Sequence, residues 1–266
     1  MISIITPTYN SEKYLEKCIL SILQQGCCEY EHIIVDGGST DGTLSIIRKY
    51  EKLYPMKWIS EKDNGMYDAI AKGFKLASGD IFCWLNSDDM YMPWTLRAVQ
   101  IAMNQKDVKW IMGMPSNFNA EGICYLPLGE PIPISRWFIR KGWMESRKLW
   151  FIQQESSFWK RELYEQVGGL DQQYKLAGDY HLWKKFADVA DLYMVDSVLA
   201  GFRIHEGQLS GNIEGDRAEI GKLSRIQAFM SKYNLYKKTY SFSLKLKRLF
   251  CGKKSLKCKI IRIERK

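Results

Sequence analysis

Residues 85–89 read LNSDD and set two carboxylates, Asp88 and Asp89, directly after the apolar run GDIFCW. Unpaired buried charge is costly, and two adjacent like charges repel. Two acids closing a core strand call for something to offset them, and a divalent cation is the obvious candidate. Three other polar clusters end apolar runs in the same way: Thr6 to Asn10, Asp36 to Ser39, and Glu61 to Gly65. Taken alone, DGGSTDGT reads as a turn and helix cap, KDNG as a turn that tolerates positive φ, and NSDD as a helix cap.

The elements between these clusters alternate. ISIITPTY, HIIVDGGS, MKWIS and DIFCWL read as strands; SEKYLEKCILSILQQ, TDGTLSIIRKYEKL and YDAIAKGFKLA carry helical spacing. Ser11 is placed to cap the first helix, and Thr40 or Asp41 the second. Strands alternating with helices of this length predict βαβ units and a parallel sheet, and such continuous apolar strands suit a sheet covered on both faces. Ligands of open α/β sheets bind at the carboxyl ends of the strands, where all four polar clusters fall. From about residue 105 to 150 the pattern loosens, with Pro, Gly and Trp in PLGEPIPISRWFIRKGW. Segments of that kind in compact domains are commonly binding loops or lids. Beyond them QQESSFWKRELYEQVGGLD, GDYHLWKKFA and LYMVDSVLAGFRIH read as strand or loop, helix and strand, followed by a helix from about 216 to 233.

The chain has 266 residues, 46% of them hydrophobic, enough for one large domain with an appendage. No run of about 18 apolar residues occurs, and MISIITPTYN lacks the basic region of a signal peptide, so a cytosolic location is expected. Seven scattered cysteines without a CxxC pair predict free, mostly packed thiols. The net charge of +9 divides unevenly. From Lys222 onward fifteen Lys or Arg face a single acid, Glu264, whereas the preceding residues carry 24 basic and 29 acidic groups. A body with a net charge of −5 and no nucleic-acid-binding signature argues against a nucleic-acid partner. The absence of GxGxxG after the first strand argues against a dinucleotide oxidoreductase.

TPTYN, VDGGSTDGT, EKDNGMYDAIAKGFKLASGD, LNSDD and GGLDQQYKLAGDYHLW occur in this order. Together they resemble the family 2 glycosyltransferases, among them bacterial enzymes that build colanic acid, capsule or O-antigen repeat units. Each piece is short and weak alone; the ordered set is highly specific and runs over roughly residues 1 to 210. The resemblance implies the GT-A fold, an α/β class with a mostly parallel sheet flanked by helices. On that basis a glycosyltransferase domain is expected over 1–215, with a nucleotide-binding half at 1–104 and an acceptor-binding half at 105–215. A basic helical extension over 216–266 would follow.

The activity the resemblance implies is an inverting hexosyl transfer. A sugar would move from a nucleotide-diphosphate sugar, UDP-linked, to a saccharide acceptor such as a lipid-linked polysaccharide repeat unit. Thr6, Pro7 and Tyr9 would form the uracil and ribose pocket with Asp36 as partner of the base, and Asp63 and Lys72 would contact the nucleotide. Asp88 would face the ribose, and Asp89 would hold Mg²⁺ or Mn²⁺, aided by His205. Asp179 occupies the position of the catalytic base, Gln154 lies near the acceptor or donor sugar, and Arg203 reaches the diphosphate or sugar. Trp137, Trp143 and Trp150 either stack on acceptor rings or pack. Two positions depart from the family pattern: Asn86 stands where a carboxylate is usual, and Gly178 where Glu often precedes the base. They favour the alternative of a non-catalytic sugar-nucleotide-binding scaffold.

The tail KKTYSFSLKLKRLFCGKKSLKCKIIRIERK mixes basic residues with Leu, Phe and Ile. Such a segment suits an anionic membrane surface, where each nearby Lys or Arg contributes about 1 kcal/mol; the bland alternative is a solvated tail. Peripheral contact at the inner face of the cell membrane would bring the site to an acceptor on polyprenyl diphosphate.

Overall fold

The computed structural model describes residues 1–26, 28–125, 133–142, 152–221 and 259–263. The predicted alternation is present at the start: β1 (Ile2–Thr8), α1 (Leu15–Leu23), β2 (Tyr30–Asp36), α2 (Thr43–Tyr50), β3 (Met56–Ser60), α3 (Met66–Leu76) and β4 (Ile81–Trp84). After β4 come β5 (Met90–Tyr91), α4 (Thr95–Met103), β6 (Trp110–Met112), β7 (Asn117–Phe118), β8 (Cys124–Tyr125) and α5 (Arg136–Arg140). The second half continues with β9 (Ser157–Lys160), α6 (Arg161–Gln166), α7 (Gly178–Val189), β10 (Leu192–Val195), β11 (Ala200–Arg203), α8 (Ile213–Ile220) and β12 (Ile260–Ile261).

Among the described residues the main sheet has eight strands in the order β12-β10-β6-β9-β4-β1-β2-β3. Every pairing in it is parallel except those of β9, which runs antiparallel to β4 and β6. Consecutive residues of β1 serve opposite faces. Ile5 joins Ile33, Val35 and the apolar side of α3 and α7. Ile2 and Ile4 join Cys18 and Ile22 of α1 and Leu96 and Val99 of α4. Both faces are therefore core, which is why these strands read as unbroken apolar runs. Cys18 and Cys83 are buried thiols in that core. A smaller sheet, β5-β11-β7-β8, carries the chain that follows the acidic pair.

Ser11 differs from expectation. The helix opens at Leu15 rather than beside Ser11, whose backbone carbonyl instead accepts from the N–H groups of Tyr14 and Leu15. That frees the Ser11 hydroxyl to meet the Ser87 hydroxyl at 2.9 Å, tying the ends of β1 and β4 together.

In the extension expected from 216 onward, the described residues near its end form a strand. Beyond α8 the chain returns to the main sheet, where β12 pairs parallel with β10 and Ile261 is buried. Lys259 Nζ meets Asp191 at 2.7 Å. An apolar Ile-Ile pair at a sheet edge gains more from burial than from solvent. Residues 222–258, which carry most of the basic amphipathic stretch, lie outside the described residues, as do Trp143 and Trp150. No helix among the described residues is long and apolar enough to cross a membrane.

Candidate active site

A cleft of about 1650 Å³ opens at the carboxyl ends of β1, β2 and β4 and runs across to the start of α7. Pro7, Tyr9 and Asp63 line one part of it, Asp88 and His205 another, and Gln154, Glu155 and Asp179 a third.

At the first of these parts the strand ends do different work from one another. Pro7 lines the cleft and Tyr9 stands 63% exposed at its mouth, available to a planar ligand. Thr6, by contrast, is fully buried, its hydroxyl 2.8 Å from His32 Nε2, and it does not reach the cleft. Burial pushes the His32 imidazole down to about 3, so it stays neutral in that bond. Asp36 is buried as well. Its carboxylate accepts from the backbone N–H groups of Gly38 and Ser39 and from the hydroxyls of Ser39 and Ser60. With both oxygens hydrogen-bonded, Asp36 shapes the DGGS turn and does not line the cleft. The carboxylate that faces the cleft here is Asp63. Its Oδ1 accepts from Gly65 N at 2.8 Å, and its Oδ2 lies 2.6 Å from where a Cβ on residue 37 would stand. Gly37 thus leaves the room that Asp63 fills. Lys72 points away, paired with Glu61 at 2.8 Å and Asp68 at 3.5 Å on the exposed side of α3.

The acidic pair splits in two. Asp89 is fully buried; its Oδ1 accepts the backbone N–H of Arg203 at 2.8 Å, and Asn86 Nδ2 approaches its Oδ2 at 3.5 Å. Burial and the neighbouring Asp88 and Glu155 hold its carboxyl well above the usual range. Asp88 faces the cleft and meets His205 Nε2 at 2.9 Å. Asp89, expected to hold the cation, thus lies behind the wall of the cleft, and the carboxylate that faces outward is Asp88. Arg203 lies under the site at 0% exposure and does not line the cleft. Its Nε donates to the Asp88 carbonyl at 2.6 Å and its Nη1 to the carbonyls of Asn119 and Ala120. The guanidinium sits 5.1 Å from the Tyr14 ring, and that ring lies 4.4 Å from the imidazole of His205. Tyr14 and Arg203 thereby set the directions of His205 and Asp88.

A carboxylate oxygen and an imidazole nitrogen side by side on the wall of an open cleft fit a divalent cation that draws its remaining ligands from phosphate. No group of three or more His, Cys, Asp or Glu among the described residues would hold a metal without such help.

Across the cleft, Asp179 stands in the first turn of α7, half-buried, with Tyr180 N donating to its Oδ1 at 2.7 Å. Burial lifts its carboxyl to about 6. Gly178 before it is explained by Tyr67: a Cβ there would lie 2.8 Å from the Tyr67 ring. The α7 start has no side-chain cap of its own. Glu219 of α8 supplies one, accepting from the backbone N–H groups of Lys175, Leu176 and Ala177 at 2.8, 2.8 and 2.9 Å.

Gln154 lines the cleft, its Nε2 donating to the Trp84 carbonyl. Three residues that sequence reasoning passed over join the site: Tyr67, Glu219 and Glu155. A Tyr beside the Asn-Gly turn and a Glu that caps backbone more than 40 residues earlier leave no local signal. Glu155, in the middle of QQESS, is a charged residue flanking a strand and could have been flagged on that ground. It is 1% exposed, and burial with nearby Asp88 and Asp179 pushes its carboxyl up to about 8. Trp137 is exposed on α5 and does not line the cleft.

The sequence of residues 3–167 matches the model of glycosyl transferase family 2. A PGL/p-HBAD biosynthesis glycosyltransferase of Mycobacterium tuberculosis is 31% identical over 68% of this chain and 67% of its own length. An uncharacterised glycosyltransferase of Rickettsia typhi is 27% identical over 78% of this chain and 65% of its own. The chain thus spans about two thirds of the length of these relatives. Among solved structures, residues 1–349 of Staphylococcus aureus TarS in complex with UDP-GlcNAc superpose with a TM-score of 0.66 at 22% identity, covering 79% of this chain and 60% of that one. A Pyrobaculum calidifontis mannosyltransferase in complex with GDP-Man and Mn²⁺ gives 0.59 at 19% identity, covering 94% of this chain and 75% of that one. These share the α/β fold with its mostly parallel sheet. By the extent of its family match, this chain belongs to glycosyl transferase family 2.

Proposed function

We propose that the chain transfers a hexosyl group from a uridine-diphosphate sugar to a hydroxyl of a saccharide acceptor, with inversion at the anomeric carbon. The observation that carries this is the sharing of one cleft by Tyr9 and Asp63, by the Asp88–His205 pair, and by Asp179. A flat aromatic at the mouth and a carboxylate able to accept from a ring N–H suit a pyrimidine, as Tyr9 and Asp63 provide. A uridine nucleotide is also what the TarS structure, similar in fold, holds as UDP-GlcNAc.

Asp88 and His205 would hold Mg²⁺ or Mn²⁺, which, when bound, neutralises charge developing on the departing diphosphate. Asp179 takes the proton from the acceptor hydroxyl as that oxygen attacks the anomeric carbon. The bond from that carbon to the diphosphate oxygen breaks on the opposite side, and its electron pair leaves with the nucleotide. A carboxyl at about 6 is mostly ionised at neutral pH while remaining basic enough to accept a proton. Tyr67 keeps that carboxylate aimed, and Arg203 keeps Asp88 aimed from below. A lipid-linked acceptor and a peripheral membrane position are the setting in which the basic segment after 221 would serve this reaction.

The test is a thermal-shift and transfer screen with UDP, GDP, dTDP and their sugars, with and without Mn²⁺. A ligand that binds only the folded state raises the melting temperature with its concentration. Stabilisation by UDP and Mn²⁺ together, with release of UDP from at least one UDP-sugar, is the expected result. A chain that responds to none of the three nucleotides does not do this chemistry. Gly178 and Asn86 no longer favour a decayed scaffold, since Gly178 makes room for Tyr67 and Asn86 supports Asp89.

A further inference from the structure

Asn10 has a φ of +47°, and among the described residues only Asp107 shares a positive φ with it outside glycine. Asp107 sits between α4 and β6 and does not line the cleft. Asn10 lies on the cleft, directly after Tyr9. A left-handed backbone disfavours any residue with a Cβ, Asn less than most, and it persists only where the surroundings hold it.

Here the DGGSTDGT segment at the end of β2 does the holding. Three consecutive backbone N–H groups donate to its side chains: Asn10 to Ser39 Oγ at 2.8 Å, Ser11 to Thr43 Oγ1 at 2.8 Å and Glu12 to Asp41 Oδ2 at 3.1 Å. Two bonds run the other way. Asn10 Oδ1 accepts from Thr40 N at 2.9 Å, and Glu12 Oε2 accepts from Gly42 N at 2.7 Å. Gly42 lets Glu12 approach, since a Cβ there would lie 2.7 Å from that oxygen. Ser39 donates its own proton to Asp36, which also accepts from Ser60 of β3, so the ends of β1, β2 and β3 are tied through one buried carboxylate.

Tyr9 is what this lacing serves. Its side chain is exposed at the mouth of the cleft, so packing does little to fix where it stands, and the backbone around it must do so. The Ser11 hydroxyl lies 3.2 Å from the Tyr9 carbonyl, and Asn10 is anchored through both its N–H and its side chain. A wall already ordered on folding need not be ordered on binding, which raises affinity for a planar base. We infer that Asn10 is a positioning residue for the nucleotide: its left-handed turn, laced to DGGSTDGT, holds Tyr9 as a preformed wall for the base. This rests on the nucleotide-sugar reading above. It also gives DGGSTDGT a task, because Ser39, Thr40, Asp41 and Thr43 hold the Tyr9 loop and do not line the cleft themselves.

The test is isothermal titration with UDP in Mn²⁺ of wild type, Asn10→Ala and Asn10→Gly, each with Tyr9 intact and again combined with Tyr9→Ala. Asn10→Ala loses the Thr40 bond and disfavours the turn, and it should weaken UDP binding roughly tenfold. Asn10→Gly adopts positive φ freely and should recover part of that loss. In the Tyr9→Ala background, Asn10→Ala should weaken binding by less than about twofold, because a residue that acts through Tyr9 has nothing left to position. Unchanged UDP affinity in Asn10→Ala, or an equal loss in both backgrounds, overturns the inference. If Asn10→Ala does not fold, Ser39→Ala, which removes the acceptor of the Asn10 N–H, decides it in the same two backgrounds. Wild type that binds none of UDP, GDP and dTDP sinks the nucleotide-sugar reading itself, and this role with it.

Discussion

Tyr67 and Asp179 hold each other at the wall of the cleft. The phenol shares its one proton between Asp179 Oδ1 at 3.2 Å and the Leu176 carbonyl at 3.1 Å and accepts the backbone N–H of Asp179 at 3.2 Å, while its ring fills the place of a side chain at Gly178. Burial and the adjacent carboxylate keep the phenol protonated far above neutral pH. The carboxylate we assign as base is thus fixed from another element, 112 residues away in sequence.

Tyr67→Phe removes a donor that favours the ionised carboxylate, so Asp179 should become harder to deprotonate. The acid limb of the pH–rate profile should move upward by roughly one unit, with activity down about twofold at pH 7 and about tenfold well below pH 6. Gly178→Ala drives a methyl into the ring and should reduce kcat at least as much. Nucleotide affinity should barely change in either, which a titration with UDP checks.

The pH dependence of wild type carries its own sign. Burial raises the Asp179 carboxyl to about 6, and only the ionised form accepts a proton. Activity should hold above pH 7 and fall about tenfold per unit below about 6. The same shift means that ionising Asp179 costs the folded state, so its contribution to stability declines as pH rises from about 4 through about 6. Asp179→Asn should accordingly melt higher than wild type at pH 8 and no higher at pH 4. Melting curves at the two pH values decide this.

Asp88 and Asp89 should separate by phenotype. Asp88→Asn and His205→Ala should raise the Mn²⁺ concentration for half-maximal activity tenfold or more, with melting temperatures close to wild type. Asp89→Ala leaves the Arg203 N–H and the chain below the site without their partner, so its signature should be lost stability of about 1–3 kcal/mol. Reversed behaviour of the two acids would return the cation to Asp89.

Glu219 satisfies three backbone N–H groups ahead of α7 from a different helix. Removing a comparable cap costs about 1 kcal/mol, so Glu219→Ala should lower the melting temperature by several degrees. Amide exchange at residues 175–177 should accelerate, and kcat should fall more than UDP affinity. A variant with exchange unchanged there would show that α8 does not hold this segment.

How far the sequence reaches is clearest in the acidic residues. Apolar runs alternating with helical spacing were enough to foresee β1 to β4 and the sheet they build, because each strand is covered on both faces. Asp88 and Asp179 were legible as residues of the cleft. Which of Asp88 and Asp89 faces outward was not, since a tight turn with Asp89 N on the Asn86 carbonyl at 3.0 Å rotates one inward to a partner at Arg203. Asp36 spends its carboxylate on the DGGS turn and on the Ser60 hydroxyl of β3, which a sequence pattern does not reveal. Gly37 and Gly178 could be understood only with Asp63 and Tyr67 in place, because the partner of each glycine comes from a distant element. Glu155 lay in a segment without periodicity.

The central claim is that Asp179 takes the proton from the acceptor during sugar transfer at this cleft. Single-turnover transfer by Asp179→Asn, measured beside its UDP affinity, tests it most directly. Loss of transfer by roughly 10²–10⁴-fold with UDP binding intact is the expected result. An Asn variant that still turns over near the wild-type rate would contradict it.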